Sequence, residues 1–354
     1  MERKVQIGEI KTGKLNNICD VEGVLVGHST ISNNINHTGI TTILPHNQNL
    51  FLNKVVASSY VYNGFGKSVG LLQIDELGTI ETPIVLTNTL SVGKITDGLI
   101  SYMIKDNPDI GITTSTVNSL ILECNDGSIN QIQNRVLDET NLLESINSAK
   151  KDFEQGSVGA GTGMKCHGFK GGIGSSSRII EIDNKEYTIG VLVNSNFGSS
   201  NGKDLIFKGK KLGELIKNYH NLQEEDKGSI IVVIATDLPL DNRQLKRLAK
   251  RAELGIAKTG SYAGNGSGDI MIAFTTANQV KHNPNNQIES ILRMSDNSIN
   301  KAFKAVVDAT EESVLNSMLY SKGVKSFNGT YYKSLNEYKT LYEELLINNN
   351  KNIE

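Results

Sequence analysis

An α/β protein is what this sequence predicts, and three observations carry the prediction. Short apolar runs bounded by Gly, Asn or Asp recur along the chain. Two later segments repeat apolar residues at helical spacing. Glycine is abundant and proline scarce, 34 against 5 in 354 residues, which means many tight backbone positions and few stiff linkers. The apolar runs are residues 42–44, 83–86, 188–193, 230–235 and 269–274. Continuous runs of that kind suit strands buried on both faces.

The helical patterns follow in the C-terminal half. After Pro239, Asp241 is placed to cap a helix whose apolar side is Leu245, Leu248, Ala249, Ala252 and Ile256, closing at Gly260. A second helix is predicted from Ser298, with Ile299, Phe303, Val306, Val307, Thr310, Val314 and Met318 on one face and Gly323 at its end. Both stripes read as core packing. No internal repeat is evident. The polar, acidic stretch 221–227 runs directly into the most apolar strand, so a solvated loop should abut a buried strand at Gly228-Ser229. The Asn-rich residues 348–354 read as a frayed tail.

Composition excludes several classes. A hydrophobic share of 38% supports a sizeable core, and 36 Lys+Arg against 38 Asp+Glu leave a net charge of −2. A near-neutral chain has no electrostatic footprint for nucleic acid or anionic membrane. The longest apolar run is six residues, far short of a span. Cys19, Cys124 and Cys166 lie far apart without a CxxC pair, and no secretion signal precedes them. That pattern predicts a reducing, cytoplasmic setting. Cofactor signatures fail as well. Gly66-Lys67-Ser68 ends like a phosphate loop, but Val61 stands where its leading glycine is required. Gly159, Gly161 and Gly163 lack the last glycine of a dinucleotide fingerprint. No HExxH or GxSxG occurs, and the six His are scattered. No metal or cofactor is predicted.

Four segments ask for more than core. Residues 156–174 hold eight glycines in nineteen positions. They read either as a run of tight turns or as backbone brought close to a ligand, with N–H groups turned to a developing anion. Asn196 closes an apolar strand, as a turn former or as a neutral donor of the oxyanion-hole kind. Gly228-Ser229 joins a polar loop to a buried strand, where a self-processing hydrolase would cut. The freed Ser would then carry a hydroxyl and an α-amine able to serve as its base. In residues 259–269, Ser267 and Asp269 point the same way if extended. They read as hairpin chemistry or as a proton-handling pair.

In that order and spacing the four segments resemble the L-aminopeptidase/D-esterase and β-peptidyl aminopeptidase family, the DmpA-like peptidases. The resemblance takes in Asn17 through Gly27, Thr38-Gly-Ile-Thr-Thr-Ile, Leu86-Thr-Asn-Thr89 and Gly156 through Met164. It continues with Asn196-Phe-Gly, Gly228-Ser229, Thr236-Asp-Leu-Pro-Leu240, Gly266-Ser-Gly-Asp269 and Val306-Val-Asp-Ala-Thr-Glu-Glu312. It covers roughly nine-tenths of the chain.

The resemblance implies an α/β/β/α sandwich like that of N-terminal-nucleophile hydrolases with a different connectivity. It implies one catalytic domain, 1–354, cut once between Gly228 and Ser229 into 1–228 and 229–354. Such enzymes release N-terminal residues from short peptides, amides or esters through an acyl-enzyme, as homo-oligomers of αβ units. Carried over residue by residue, Ser229 is the nucleophile, Ser267 and Asp269 its support, and Asn196 the oxyanion donor. Glu123 holds the substrate ammonium, and Gly161 and Asn125 are on the substrate side. Asp269 is often Glu in relatives, and Asn125 stands where the prototype places a tyrosine. Three other readings are weighed: an amide hydrolase for ω-amino-acid oligomers or small amides, an acetylornithine acetyltransferase of similar fold whose nucleophile is Thr, and a non-catalytic binding protein that kept the fold.

Overall fold

The computed structural model describes residues 5–216 and 227–347. Both the polar segment 221–226 and the tail 348–354 lie outside the described residues. In chain order the main strands are β1 (Leu25–Ser32), β2 (His37–Leu44), β3 (Asn53–Gly64), β4 (Thr79–Ile80), β5 (Ile84–Asn88) and β6 (Leu120–Cys124). They continue with β7 (Gly172–Ile182), β8 (Lys185–Asn196), β9 (Lys227–Thr236) and β10 (Gly266–Lys281). The main helices are α1 (Val92–Asp106), α2 (Glu139–Asn147), α3 (Asn242–Ala257) and α4 (Asn300–Leu319).

Two sheets stack between two helical layers. One sheet runs β1-β2-β5-β6 and the other β4-β3-β10-β9-β8-β7. Each is antiparallel except for a single parallel pair, β5 with β6 and β9 with β10. Helices α1 and α2 cover the four-stranded sheet, and α3 and α4 cover the six-stranded one. The α/β/β/α sandwich implied by the sequence resemblance is therefore what forms.

Strand β9 shows why the apolar run is continuous. Ile230, Val232 and Ile234 pack in the core under α3 and α4. Ile231, Val233 and Ala235 pack in the core between the sheets. Side chains alternate faces along a strand, so a strand with a layer on each side has no solvent face to fill with polar residues. Each buried Val or Ile contributes about 1.5–3 kcal/mol relative to exposure. The predicted strands lengthen wherever polar residues extend the pairing: 42–44 grows into β2, and 269–274 into β10.

Both predicted helices form, with shifted ends. The Asp241 cap is real: its side chain accepts from Gln244 N at 2.7 Å, and Gln244 returns a bond to Asp241 N at 3.3 Å. A reciprocal box of this type is worth about 1 kcal/mol. Helix α4 starts after a short turn, Asp296–Ser298, and ends at Leu319, four residues before Gly323. Its burial also departs from the expected single apolar face, because its polar side is buried too. Glu312 pairs with Arg178 at 2.7 Å with both side chains fully enclosed, and it accepts from Ile7 N at 2.7 Å. The N-terminal arm covers that side.

Candidate active site

Strand β6 of the smaller sheet lies over β8 and β9 of the larger one, and the candidate residues gather where those strands end or begin. Ser229 is the third residue of β9 and is 6% exposed. On one side its partner is Asn196, the last residue of β8; on the other it is Gly268 of β10. Ser267 stands opposite Gly228 and Asp269 opposite Ile230, so the pair brackets Ser229 along the neighbouring strand.

Two glycines set this junction. Gly228 has φ +135°, and a Cβ there would come 1.9 Å from the Asn196 carbonyl oxygen. An L side chain is excluded by both backbone conformation and space. A Cβ on Gly268 would come 2.4 Å from the Phe65 carbonyl oxygen and 3.2 Å from Ser229 Oγ. The bare position leaves room for the hydroxyl and for the loop that follows β3.

Ser267 and Asp269 do point the same way. Ser267 Oγ donates to Asp269 Oδ1 at 2.6 Å with both residues buried, the short distance of a charge-assisted bond. Asn196 is held at both ends of its amide. Oδ1 accepts from Lys165 N at 3.0 Å, and Nδ2 donates to the Asn125 carbonyl at 2.9 Å. A flipped amide would set donor against donor and acceptor against acceptor, so the orientation is fixed. One Nδ2 hydrogen is committed to Asn125 and a second remains on the nitrogen.

Glu123 is 4% exposed on β6. Its Oε1 accepts from Lys67 N at 2.8 Å, its Oε2 accepts from Thr89 Oγ1, and its own N–H donates to Ser68 Oγ at 3.2 Å. These carboxylate donors are neutral, so they aim the group without cancelling its charge. Next to it, Cys124 is a buried thiol donating to the Asn194 carbonyl at 3.5 Å. Burial and the charges of Glu123 and Asp269 push that thiol up, away from the thiolate a nucleophile needs.

Asn125 enters the site by its main chain. Its side chain is exposed, with Oδ1 accepting from Gly127 N at 2.9 Å in a local turn. Gly161 is buried, and a Cβ on it would come 2.4 Å from Ile173 N. The N–H groups of Gly161, Thr162, Met164 and Gly171 all donate to carbonyls at positions 158, 159, 161 and 164. Of the two readings of the glycine-rich stretch, tight turns describe these groups. The loop meets the site through Lys165 N, bonded to Asn196.

Several residues were not singled out from the sequence. Thr89 lies within the Thr-Asn-Thr motif, where no role was attached to it. Lys67 and Ser68 belong to the stretch rejected as a phosphate loop; the same backbone turn wraps a carboxylate instead. Lys170 is fully enclosed, donating from Nζ to the carbonyls of Gly161, Met164 and Gly171 at 2.9, 2.9 and 2.7 Å. Burial pushes it down to about 7, against the pull of Asp126 and Cys166. Burial likewise pushes Asp126 up to about 6, against hydrogen bonds from Thr38, Asn130 and Asn88. A Lys inside a glycine run was the available signal, though Lys165 shares that run.

Comparison with known proteins places the chain in a family. The model of Peptidase family S58 matches residues 16–332. Beta-peptidyl aminopeptidase BapA of Sphingosinicella microcystinivorans is 34% identical over 343 residues, 90% of this chain and 85% of that protein. The crystal structure of the PH0078 protein from Pyrococcus horikoshii OT3 superposes with TM-score 0.91 at 46% identity, covering 96% of each chain. The l-aminopeptidase d-ala-esterase/amidase of Ochrobactrum anthropi, described as a prototype for the serine aminopeptidases and a variant of the Ntn hydrolase fold, gives 0.87 at 31%, again over 96% of each. A family match over nearly the whole chain, a relative aligned along most of its length and a shared fold converge: the chain belongs to peptidase family S58 and is an aminopeptidase-type hydrolase.

Proposed function

We propose that the chain is one catalytic domain that cleaves itself between Gly228 and Ser229, then uses Ser229 to release N-terminal residues from short peptides, amino-acid amides or esters. The observation that carries this reading is the position of Ser229: opposite Asn196, bracketed by Ser267 and Asp269, and preceded by a glycine no other residue could replace. In maturation the hydroxyl attacks the Gly228 carbonyl, the C–N bond opens, and water hydrolyses the ester. A Gly228 carboxylate and a Ser229 α-amine result.

In turnover the amine takes the hydroxyl proton as oxygen attacks the substrate carbonyl. Asp269 and Ser267 orient that amine, and the second Nδ2 hydrogen of Asn196 meets the developing oxyanion. Glu123 binds the substrate ammonium. Asn125 serves on the substrate side through its main-chain carbonyl, which holds Asn196 Nδ2, and Gly161 through the loop it anchors. A Ser at 229 and a full set of site groups disfavour the acetyltransferase and the binding protein. Three buried cysteines, none in a disulfide, support a reducing, cytoplasmic setting; among the described residues, no helix is long and apolar enough to cross a membrane. A homo-oligomer of αβ units follows from the family resemblance.

Intact-mass measurement tests the reading. The purified chain should yield fragments of 228 and 126 residues, and Ser229→Ala should leave one uncut chain. A wild type that stays whole after prolonged incubation overturns maturation. The relative named a β-peptidyl aminopeptidase motivates the substrate assay: paired α- and β-aminoacyl p-nitroanilides given to the matured enzyme.

A further inference from the structure

The buried ammonium of Lys170 has no part in the chemistry above, yet it lies one step behind Asn196. Lys170 is 0% exposed, a rare state for lysine that demands full hydrogen bonding. Its three partners, the carbonyls of Gly161, Met164 and Gly171, lie at 2.7–2.9 Å. An ammonium has three hydrogens and a neutral amine two, so the cradle matches the charged form. The acceptors gather one short loop. Met164 immediately precedes Lys165, whose N–H bonds Asn196 Oδ1. Gly171 N in turn donates to the Met164 carbonyl at 2.9 Å. The Gly171 carbonyl has a second donor in Ser321 Oγ at 2.6 Å, whereas the Gly161 and Met164 carbonyls take Lys170 Nζ beside backbone N–H groups of the loop itself.

The opposite end of the same amide is held beside a second enclosed ionisable residue. Nδ2 of Asn196 donates to the carbonyl of Asn125, and the next residue, Asp126, is 0% exposed and accepts from Asn130 Nδ2 at 3.0 Å. Gly163 packs directly on Asp126, where a Cβ would come 2.7 Å from the Asp126 Cβ. The glycine loop and the turn after β6 are thus pressed together behind Asn196.

We infer that Lys170 is a positioning residue for the Asn196 amide: by tying the carbonyls of Gly161, Met164 and Gly171 it presents the Lys165 N–H to Oδ1 and keeps the second Nδ2 hydrogen on the Ser229 side. The inference rests on the oxyanion role proposed for Asn196. Lys170 touches neither substrate nor nucleophile, so its removal acts on kcat through Asn196 and leaves ground-state binding alone.

A double-mutant cycle on the matured full-length enzyme, with alanine p-nitroanilide as substrate, tests this. Asn196→Ala should lower kcat about 10²–10³-fold, the range for one oxyanion donor. Lys170→Met should lower kcat about ten- to a hundred-fold with KM changed less than about three-fold, and should add less than about three-fold in the Asn196→Ala background. An additive double mutant, or Lys170→Met at wild-type kcat, overturns the positioning role while the oxyanion reading stands. Asn196→Ala at wild-type kcat overturns that reading and the inference with it. If circular dichroism shows that Lys170→Met does not fold, Lys170→Gln carries the same cycle. With two donors left for three carbonyls, it should lose about three- to ten-fold in kcat with the same non-additivity, and additivity again overturns the role.

Discussion

The two sheets supply the site from opposite ends of their parallel pairs. The smaller sheet brings Glu123 near the C-terminal end of β6 and Thr89 just past the end of β5. The larger sheet brings Ser229, Ser267 and Asp269 at the beginnings of β9 and β10, with Asn196 at the end of the adjacent antiparallel strand. Strand ends in the smaller sheet present one carboxylate aimed by neutral donors, a device for holding a cation. Strand beginnings in the larger sheet present a chain of hydroxyl, carboxylate and amide around a backbone bond. Under the proposed function one sheet binds and the other reacts, so substitutions in the two should separate KM from kcat.

The largest expected effect lies in the reacting sheet. Ser229→Ala removes nucleophile and cleavage together, and no hydrolysis of any aminoacyl p-nitroanilide should remain. Turnover by an uncut Ser229→Ala chain would place the chemistry elsewhere. Asp269→Asn is the subtler break. It keeps shape and loses charge, leaving the Ser267 hydroxyl facing an amide. We expect kcat to fall about 10²–10⁴-fold, the range for acid–base support, with KM nearly unchanged in matured protein. The acidic limb of kcat/KM should report the Ser229 amine, near or somewhat below its reference of about 7.7–8.0. A flat profile from about pH 5 to 9, or full activity in Asp269→Asn, removes the amine mechanism.

In the binding sheet the effect should be smaller and of another kind. Glu123→Gln keeps acceptors for Lys67 N and Thr89 but removes the charge facing a substrate ammonium. A charge-assisted hydrogen bond is worth about 1.5–3 kcal/mol, so kcat/KM should drop about ten- to a hundred-fold, mainly through KM. N-acetylated substrates should be poor for the wild type and no poorer for the variant. Equal turnover of free and blocked substrates by the wild type would break the division between the sheets.

Much of this division was legible in the sequence, though unevenly. Strand β9 announced itself because two buried faces demand an unbroken apolar run, and Asp241 announced a helix start because its cap is local chemistry. Ser229, Asn196, Ser267 and Asp269 stood out in their own segments, Glu123 came only with the family resemblance, and the structure places all five at neighbouring strand ends. What escaped was contact between distant segments. Nothing local in Phe65-Gly-Lys-Ser68 says that it wraps a carboxylate 56 residues away, and Thr89 looks like any Thr after a strand. Lys170 was hidden by its own type: lysine normally signals surface, and only the fold shows three carbonyls closing on it. The same limit applies to α4, whose acidic residues look solvated until the N-terminal arm and Arg178 cover them.

The smallest effect tests the front of the loop that both sheets share. Lys170 holds its later carbonyls; Thr41 and His28 hold its start. Ala160 N donates to Thr41 Oγ1 at 3.1 Å. His28 Nδ1 lies 3.0 Å from Thr41 Oγ1, and Nε2 lies 3.0 Å from the Glu154 carbonyl. A carbonyl only accepts, so Nε2 carries the hydrogen and Nδ1 receives the Thr41 hydroxyl, a neutral ring. Burial, with Lys150 nearby, pushes His28 down to about 4 from 6.5. Between those values the unfolded chain binds a proton the folded chain does not. This stability is therefore present above about pH 6.5 and lost as pH falls through about 4. One group contributes at most about 1.4 kcal/mol per pH unit, and the ring's partial exposure makes the share smaller. Thermal melts at pH 7 and pH 4.5 should show the wild type losing more Tm than His28→Gln, with kcat at pH 7 little changed in the variant. Equal losses in the two proteins would mean that the front of the loop does not depend on a neutral ring at position 28.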